Sequence, residues 1–263
     1  MVERISLYRA PTTVVDENAI ATWLRPRVGA AVSVRERFLS QFDDEDLAAD
    51  LARTRVHSPS DRETGSRLPG IVRYEDRLLE DPDRGGGVLY DGHRVTHTLN
   101  ARIPGEFCDP GHQHVVLTDR AVATWGTDGR WHKRVIVLGA PTIVSVPGLY
   151  EAPAKPEAYY REKRAHTLLS GTAPPREVLE SEVEGEFLVE DDPRTTEALA
   201  GYVLQAVHFA ATGEAFCEDE RCRLHDAHRQ SDLVTAQLGV PEFCPTHAEK
   251  YGLGHGQHTD PDW

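Results

Sequence analysis

A chain of 263 residues is long enough to bury a full core without disulfides, and that length predicts one compact domain with an appended module. Its 43 acidic residues against 29 Lys and Arg leave a net charge of -14, which argues against nucleic acid and an anionic membrane surface as partners. No apolar leader opens the chain and no run approaches the roughly 18 apolar residues of a membrane helix, so a cytoplasmic protein is expected.

Lysine is confined to Lys133, Lys155, Lys163 and Lys250. This acidic, Lys-poor composition is of the halophilic type, suited to a saline cytoplasm, and it also suits a genome that writes Arg for Lys.

In chain order, "RISLYRA" predicts a first strand, and Asp16 stands where it can cap "ENAIATWL" as a helix. "GAAVSVRERF" predicts a second strand, and "DDEDLAADLART" an acidic helix with Leu47 and Leu51 inward. The polar text from Ser58 to Gly87 is expected to be a long surface excursion. Its "DPDRGGG" lacks the Lys-Ser/Thr partner of a phosphate loop.

Three runs rich in Val, Ile and Thr follow and predict strands: "GGVLYDGHRVTHTLNARI", "HQHVVLTDRAV" and "KRVIVLGAPTIVSVP". The last two are expected at the sheet centre because their apolar runs are continuous. "KPEAYYREKRAHTLL" has helical spacing. The clearest helix is 195–213, with Asp192 or Thr195 as cap, Leu199, Tyr202, Val203, Ala206 and Ala210 on one face, and Gly213 as its stop. Together these elements predict an α/β fold, a mixed β-sheet flanked by helices, ending in a loop module and a tail over 251–263.

Three of the four cysteines crowd into the last fifth of the chain. Cys217 and Cys222 lie five apart, and Cys244 and His247 three apart. Two short-spaced pairs joined by a loop are the usual frame of a four-coordinate structural zinc ion. His225 and His228 are rivals for the fourth ligand. Other histidine groups, His112 and His114 near Cys108, and His255 and His258 in the tail, lack a carboxylate in a fixed frame.

Laid on these cysteines, "AVHFAATGEAFCEDERCRL" followed by "FCPTH" resembles the archaemetzincins, zinc peptidases of the metzincin type. Their signature runs HExxHxxGxxHC-x4-C-x-M, then CxxC after a loop. Cys217, Cys222, Cys244 and Gly213 fall on its marks, and His247 stands in place of the last cysteine. The resemblance is specific over residues 199–247. It implies a metzincin-like α/β region over 1–213, whose active-site helix is 195–213, and a structural zinc module over 214–250.

The departures carry as much weight. The family's three zinc-binding histidines would fall at Ala206, Ala210 and Phe216, its general-base glutamate at Val207, and its methionine at Leu224. None of these side chains can coordinate an ion or accept a proton. The resemblance therefore implies one structural zinc and a lost catalytic one, with the old metal cavity turned into core. His208 and Glu214 do not restore the site, because His208 points about 200 degrees around the helix from Ala206.

The leading reading is a non-catalytic, zinc-binding protein that takes a peptide or protein in the former cleft. The alternative is an active metallopeptidase or other hydrolase with ligands outside the motif, such as His225, His228 or the tail histidines. A small-molecule site on an unrelated α/β sheet is the third, and no nucleophile elbow or dinucleotide fingerprint supports it. Oligomeric state is not written in the sequence.

Overall fold

The structure is a computed structural model that describes residues 2–42, 46–63, 65, 68–82 and 86–253. The chain opens with β1 (Arg4–Tyr8), α1 (Glu17–Val28) and β2 (Ala31–Arg35). Asp16 caps α1 as expected, accepting from the N–H groups of Asn18 and Ala19. Next come α2 (Leu47–Ala52), with Leu47 and Leu51 buried, and α3 (Pro69–Glu80).

Helix α3 lies within the stretch expected as a long surface excursion, Ser58 to Gly87, and most of its residues are exposed or half-buried. Pro69 sits at the first helical position, where its missing N–H costs nothing, and Glu75 and Leu78 turn inward three apart. Asp43, Asp44, Glu45 and Gly85 lie outside the described residues, as do His255 and His258.

The run after Gly87 is corrected. Only β3 (Leu89–Asp91) is extended, and α4 (Gly92–Asn100) follows at once. Asp91 accepts from the N–H groups of His93 and Arg94, and Val95 and Leu99, four apart, fill one helical face. A cap and a helical apolar pair outweigh the β propensity of Val and Thr.

The next two runs split into β4 (His112–Thr118), β5 (Ala121–Trp125), β6 (Trp131–Arg134), β7 (Ile136–Val137) and β8 (Thr142–Ser145). Then come α5 (Val146–Glu151), α6 (Glu157–Ser170), α7 (Arg176–Glu182) and α8 (Thr195–Thr212). The last elements are α9 (Gln230–Leu238) and α10 (Pro245–Tyr251).

The five-stranded sheet has the order β2-β1-β4-β8-β7, parallel except for β7 against β8. A second sheet, β3-β5-β6, is also mixed. The expected mixed sheet flanked by helices is found, with the smaller second sheet beside it, and β4 and β8 are interior strands with every residue buried.

Alternation along β1 and β4 sends Ile5, Leu7, Val115 and Leu117 to one face, where they pack with α1 and α8. Tyr8 and Val116 point to the other, against Val95 and Leu99 of α4. Among the described residues no helix is long and apolar enough to cross a membrane.

Candidate metal centre

Helix α8 runs through the core and delivers the chain to the site. From Thr195 to His208 it is buried almost all round, and its last turn emerges into solvent. Gly213 ends it in the left-handed region at φ 79°, its N–H bonded to the Phe209 carbonyl, as the sequence predicts. The expected N-cap is not formed. Asp192 spends its carboxylate on the N–H and guanidinium of Arg194, and no side chain caps α8.

Past Gly213 the chain places Cys217 and Cys222 on one turn, and the loop through α9 returns Cys244 and His247 at the start of α10. The four ligating atoms of Cys217, Cys222, Cys244 and His247 lie within 4.8 Å of one another. Sγ of Cys217 and of Cys244 are 3.8 Å apart, and His247 Nδ1 is 3.5 Å from Cys222 Sγ and 3.2 Å from Cys244 Sγ. Zn–S bonds of about 2.3 Å in a tetrahedron require sulfurs about 3.8 Å apart and sulfur-to-nitrogen edges of about 3.5 Å. The donor set therefore fits one zinc ion in chemistry and in size.

By themselves the protein groups around Cys222 favour the neutral thiol. Burial pushes the Cys222 thiol up to about 12, while backbone N–H groups of Cys244 and Leu224 pull it down. The Asp219 N–H points at Cys217 Sγ from 3.4 Å. A dication offsets the burial term that these N–H groups only reduce.

His247 turns Nδ1 toward the sulfurs, and its ring lies edge-on to His208 with centroids 5.1 Å apart. His208 is buried, and its Nδ1 is 2.8 Å from the Tyr251 hydroxyl. Burial, and then the Lys250 charge, hold its pKa down to about 4, so the ring is neutral at pH 7. The rivals for the fourth position are placed elsewhere. His225 Nδ1 lies 3.1 Å from the Cys217 carbonyl oxygen, where it orients the ligand's backbone, and His228 is exposed beside Asp226.

The positions where the resembling motif would place its catalytic groups divide in two. Ala206, Val207 and Leu224 are buried, so here the expected conversion to core is found. Ala210 is exposed, and Phe216 is 38% exposed, which corrects that expectation for the outer half. The last turn of α8 leaves the core before it reaches Ala210, so a side chain there has nothing to pack against.

Phe216 lines a groove of about 640 Å3 together with Tyr202, Asp226, His228 and the continuous segment 131–138. His93 and His132 also border it, but among the described residues no second group of three ligating atoms converges. His112 and His114 face Ser6 and Tyr8 inside the sheet layer, and Cys108 is exposed.

No curated protein sequence matches the chain. Among solved structures it is similar to an archaemetzincin from Methanopyrus kandleri, at 12% identity and a TM-score of 0.44 over 94% of this chain and 92% of that one. It is also similar to a zinc-dependent peptidase from Methanocorpusculum labreanum, at 12% identity and a TM-score of 0.47 over 94% of this chain and 99% of that one. The profile of a family of unknown function, DUF7001, matches residues 6–250, and the chain belongs to that family.

Proposed function

We propose that this protein binds one structural zinc through Cys217, Cys222, Cys244 and His247 and recognises an extended peptide or protein segment without hydrolysing it. The observation that carries the reading is the chemistry of four positions. Ala206, Val207, Ala210 and Phe216 stand where the resembling motif needs three imidazoles and a carboxylate, and none can bind an ion or take a proton. Two of them, Ala206 and Val207, are packed in the core, so an ion has neither ligands nor room on that side.

The groove supports the binding half. Its wall includes β7, the edge strand of the large sheet, and an extended segment can pair with an edge strand through its backbone. Phe216 offers an exposed ring in the same groove.

Plasma emission spectroscopy on the desalted protein tests the first half, with one equivalent of zinc per chain expected. Two equivalents, or peptide cleavage that stops on adding a chelator, would overturn the reading and favour a hydrolase built on other ligands. Labelled hexapeptides assayed by fluorescence anisotropy test the second half, and Phe216→Ser should weaken their binding about tenfold.

A further inference from the structure

A second crevice of about 640 Å3 opens where the parallel strands end. The chain leaves β1 through α1 toward β2, then passes β1 to reach β4 through α2, α3 and α4, so the connections diverge between β1 and β4. Open α/β sheets bind ligands outside the carboxyl ends of strands at such a divergence. Segments following β1 (Pro11, Thr12), β4 (Asp119, Arg120) and β8 (Val146, Pro147) all line the crevice, whose volume suits a small molecule.

Two binding modes are excluded at the strand ends. A phosphate held at the turn after β1 would need glycines there and a free α1 N-terminus, but β1 is followed by Arg9, Ala10, Pro11 and Thr12. The N-terminus of α1 is already filled by Asp16, and Glu17 accepts from the Ala10 N–H. A divalent cation needs converging carboxylates, and among the described residues only the Cys3His cluster brings three or more ligating atoms within 4.8 Å.

What the crevice offers is both signs of charge on fixed groups. Arg120, buried, donates to Glu75 Oε2 and to the Tyr90 hydroxyl, each at 2.6 Å. Along one wall Lys133, Glu151, Arg176 and Glu190 alternate in sign and are joined by ion pairs. Asp191 is the one non-glycine among the described residues with positive φ, 57°, and its carboxylate has no ion pair with them. Thr195 brings to the same crevice the positive end of the 18-residue α8, which has no side-chain cap.

We propose that this crevice binds a free α-amino acid, its carboxylate between Arg120 and the start of α8 and its ammonium at Glu190 and Asp191. A ligand of one sign leaves an excess charge among groups that are already paired, whereas a zwitterion meets both signs and adds no net charge. The proposal rests on neither the zinc cluster nor the groove.

Titrating the 15N-labelled full chain with a mixture of the standard amino acids at millimolar concentration tests it. Saturable amide shifts are expected at residues 119–121 and 190–196. N-acetylglycine and glycinamide, which each lack one charge, should bind about tenfold more weakly. Asp191→Asn keeps a residue that tolerates the left-handed region and removes the charge, so it should fold normally and lose about tenfold in affinity. Absence of shifts, equal binding of either single-charge analogue, or an unchanged affinity in Asp191→Asn would overturn the proposal.

Discussion

His247 presents Nδ1 to three sulfurs because the groups one layer out leave it little other choice. His208 stands edge-on to the ring and is tied to Tyr251, which closes α10 on its far side, so ring orientation and helix position are fixed together. Outer groups of this kind set ligand direction and metal affinity. His208→Ala should therefore weaken zinc binding about tenfold to a hundredfold, measured by competition with a chromophoric chelator. His208→Gln, which can still reach the Tyr251 hydroxyl, should recover part of the loss, whereas a purely structural role would leave the cobalt spectrum of the site unchanged in both variants. His247→Ala should abolish stoichiometric binding and His225→Ala should not. If His225→Ala alone released the metal, the ligand set would be wrong. The cysteine spacing betrays the ligands because each pair is local. The role of His208 is hidden from the sequence, since its partner Tyr251 lies 43 residues away.

Helices α8 and α9 approach closely at one point. A Cβ on Gly201 would fall inside the space of Gln237 Oε1, and Gln237 is fully buried with its Nε2 donating to the Arg223 carbonyl. Gly201→Ala should destabilise the fold by about 1–3 kcal/mol in urea unfolding despite its better helix propensity. No destabilisation would mean that Gln237 moves at no cost. The strand pair β1 and β4 carries a different liability. His112 and His114 lie with ring centroids 4.1 Å apart and planes tilted by 31°, hydrogen-bonded to Ser6 and Tyr8, with Arg4, Arg35 and Asp109 acting on the pair. Burial, and then the His114 charge, hold His112 down to about 4 from an ordinary 6.5. The native state thus binds fewer protons than the unfolded chain between these values. The contribution of His112 is complete above pH 6.5 and is lost as pH falls toward 4, on the order of 1–3 kcal/mol. His112→Asn should flatten urea stability over that window, and an unchanged slope would remove His112 as the cause. Elements were legible where local signals agreed, as in α1 with its Asp16 cap and α8 with its Gly213 stop. They were misread where one or two residues reversed the propensity of their neighbours. Asp91 turns a Val- and Thr-rich run into α4, and Gly139 with Pro141 divides what reads as one strand into β7 and β8. The crevice at the strand ends left no trace in the sequence, because loops after three separate strands build it.

At the scale of the whole molecule, the question is how far loss of the metal spreads. The module is not a separate body: Cys222, Leu224, Leu233, Phe243 and Tyr251 belong to the same core as Ile5 and Leu24. A polar clamp reinforces that junction. Arg223, almost fully buried, pairs with Glu197 of α8 and with Glu242, each at 3.1 Å, while Glu242 also takes the Trp23 indole N–H and pairs with Arg27 of α1. The core on the other sheet face, built from Tyr8, Tyr90, Val95, Leu99 and Ile143, contains no residue of the module. Structural zinc binding is coupled to folding, so chelation should loosen residues 214–251 first and the facing surfaces of α1 and α8 next. Strands β3, β4, β5 and β8 should keep their protection, since one of the two cores that hold them is untouched. Hydrogen exchange read by mass spectrometry, before and after chelator and again in Cys222→Ala, measures this order directly. Unchanged exchange over 214–251 after verified metal loss would show that the core and the Arg223 clamp hold the module without zinc. Simultaneous exchange of the module and every strand would show instead that the ion stabilises the whole fold as one cooperative unit.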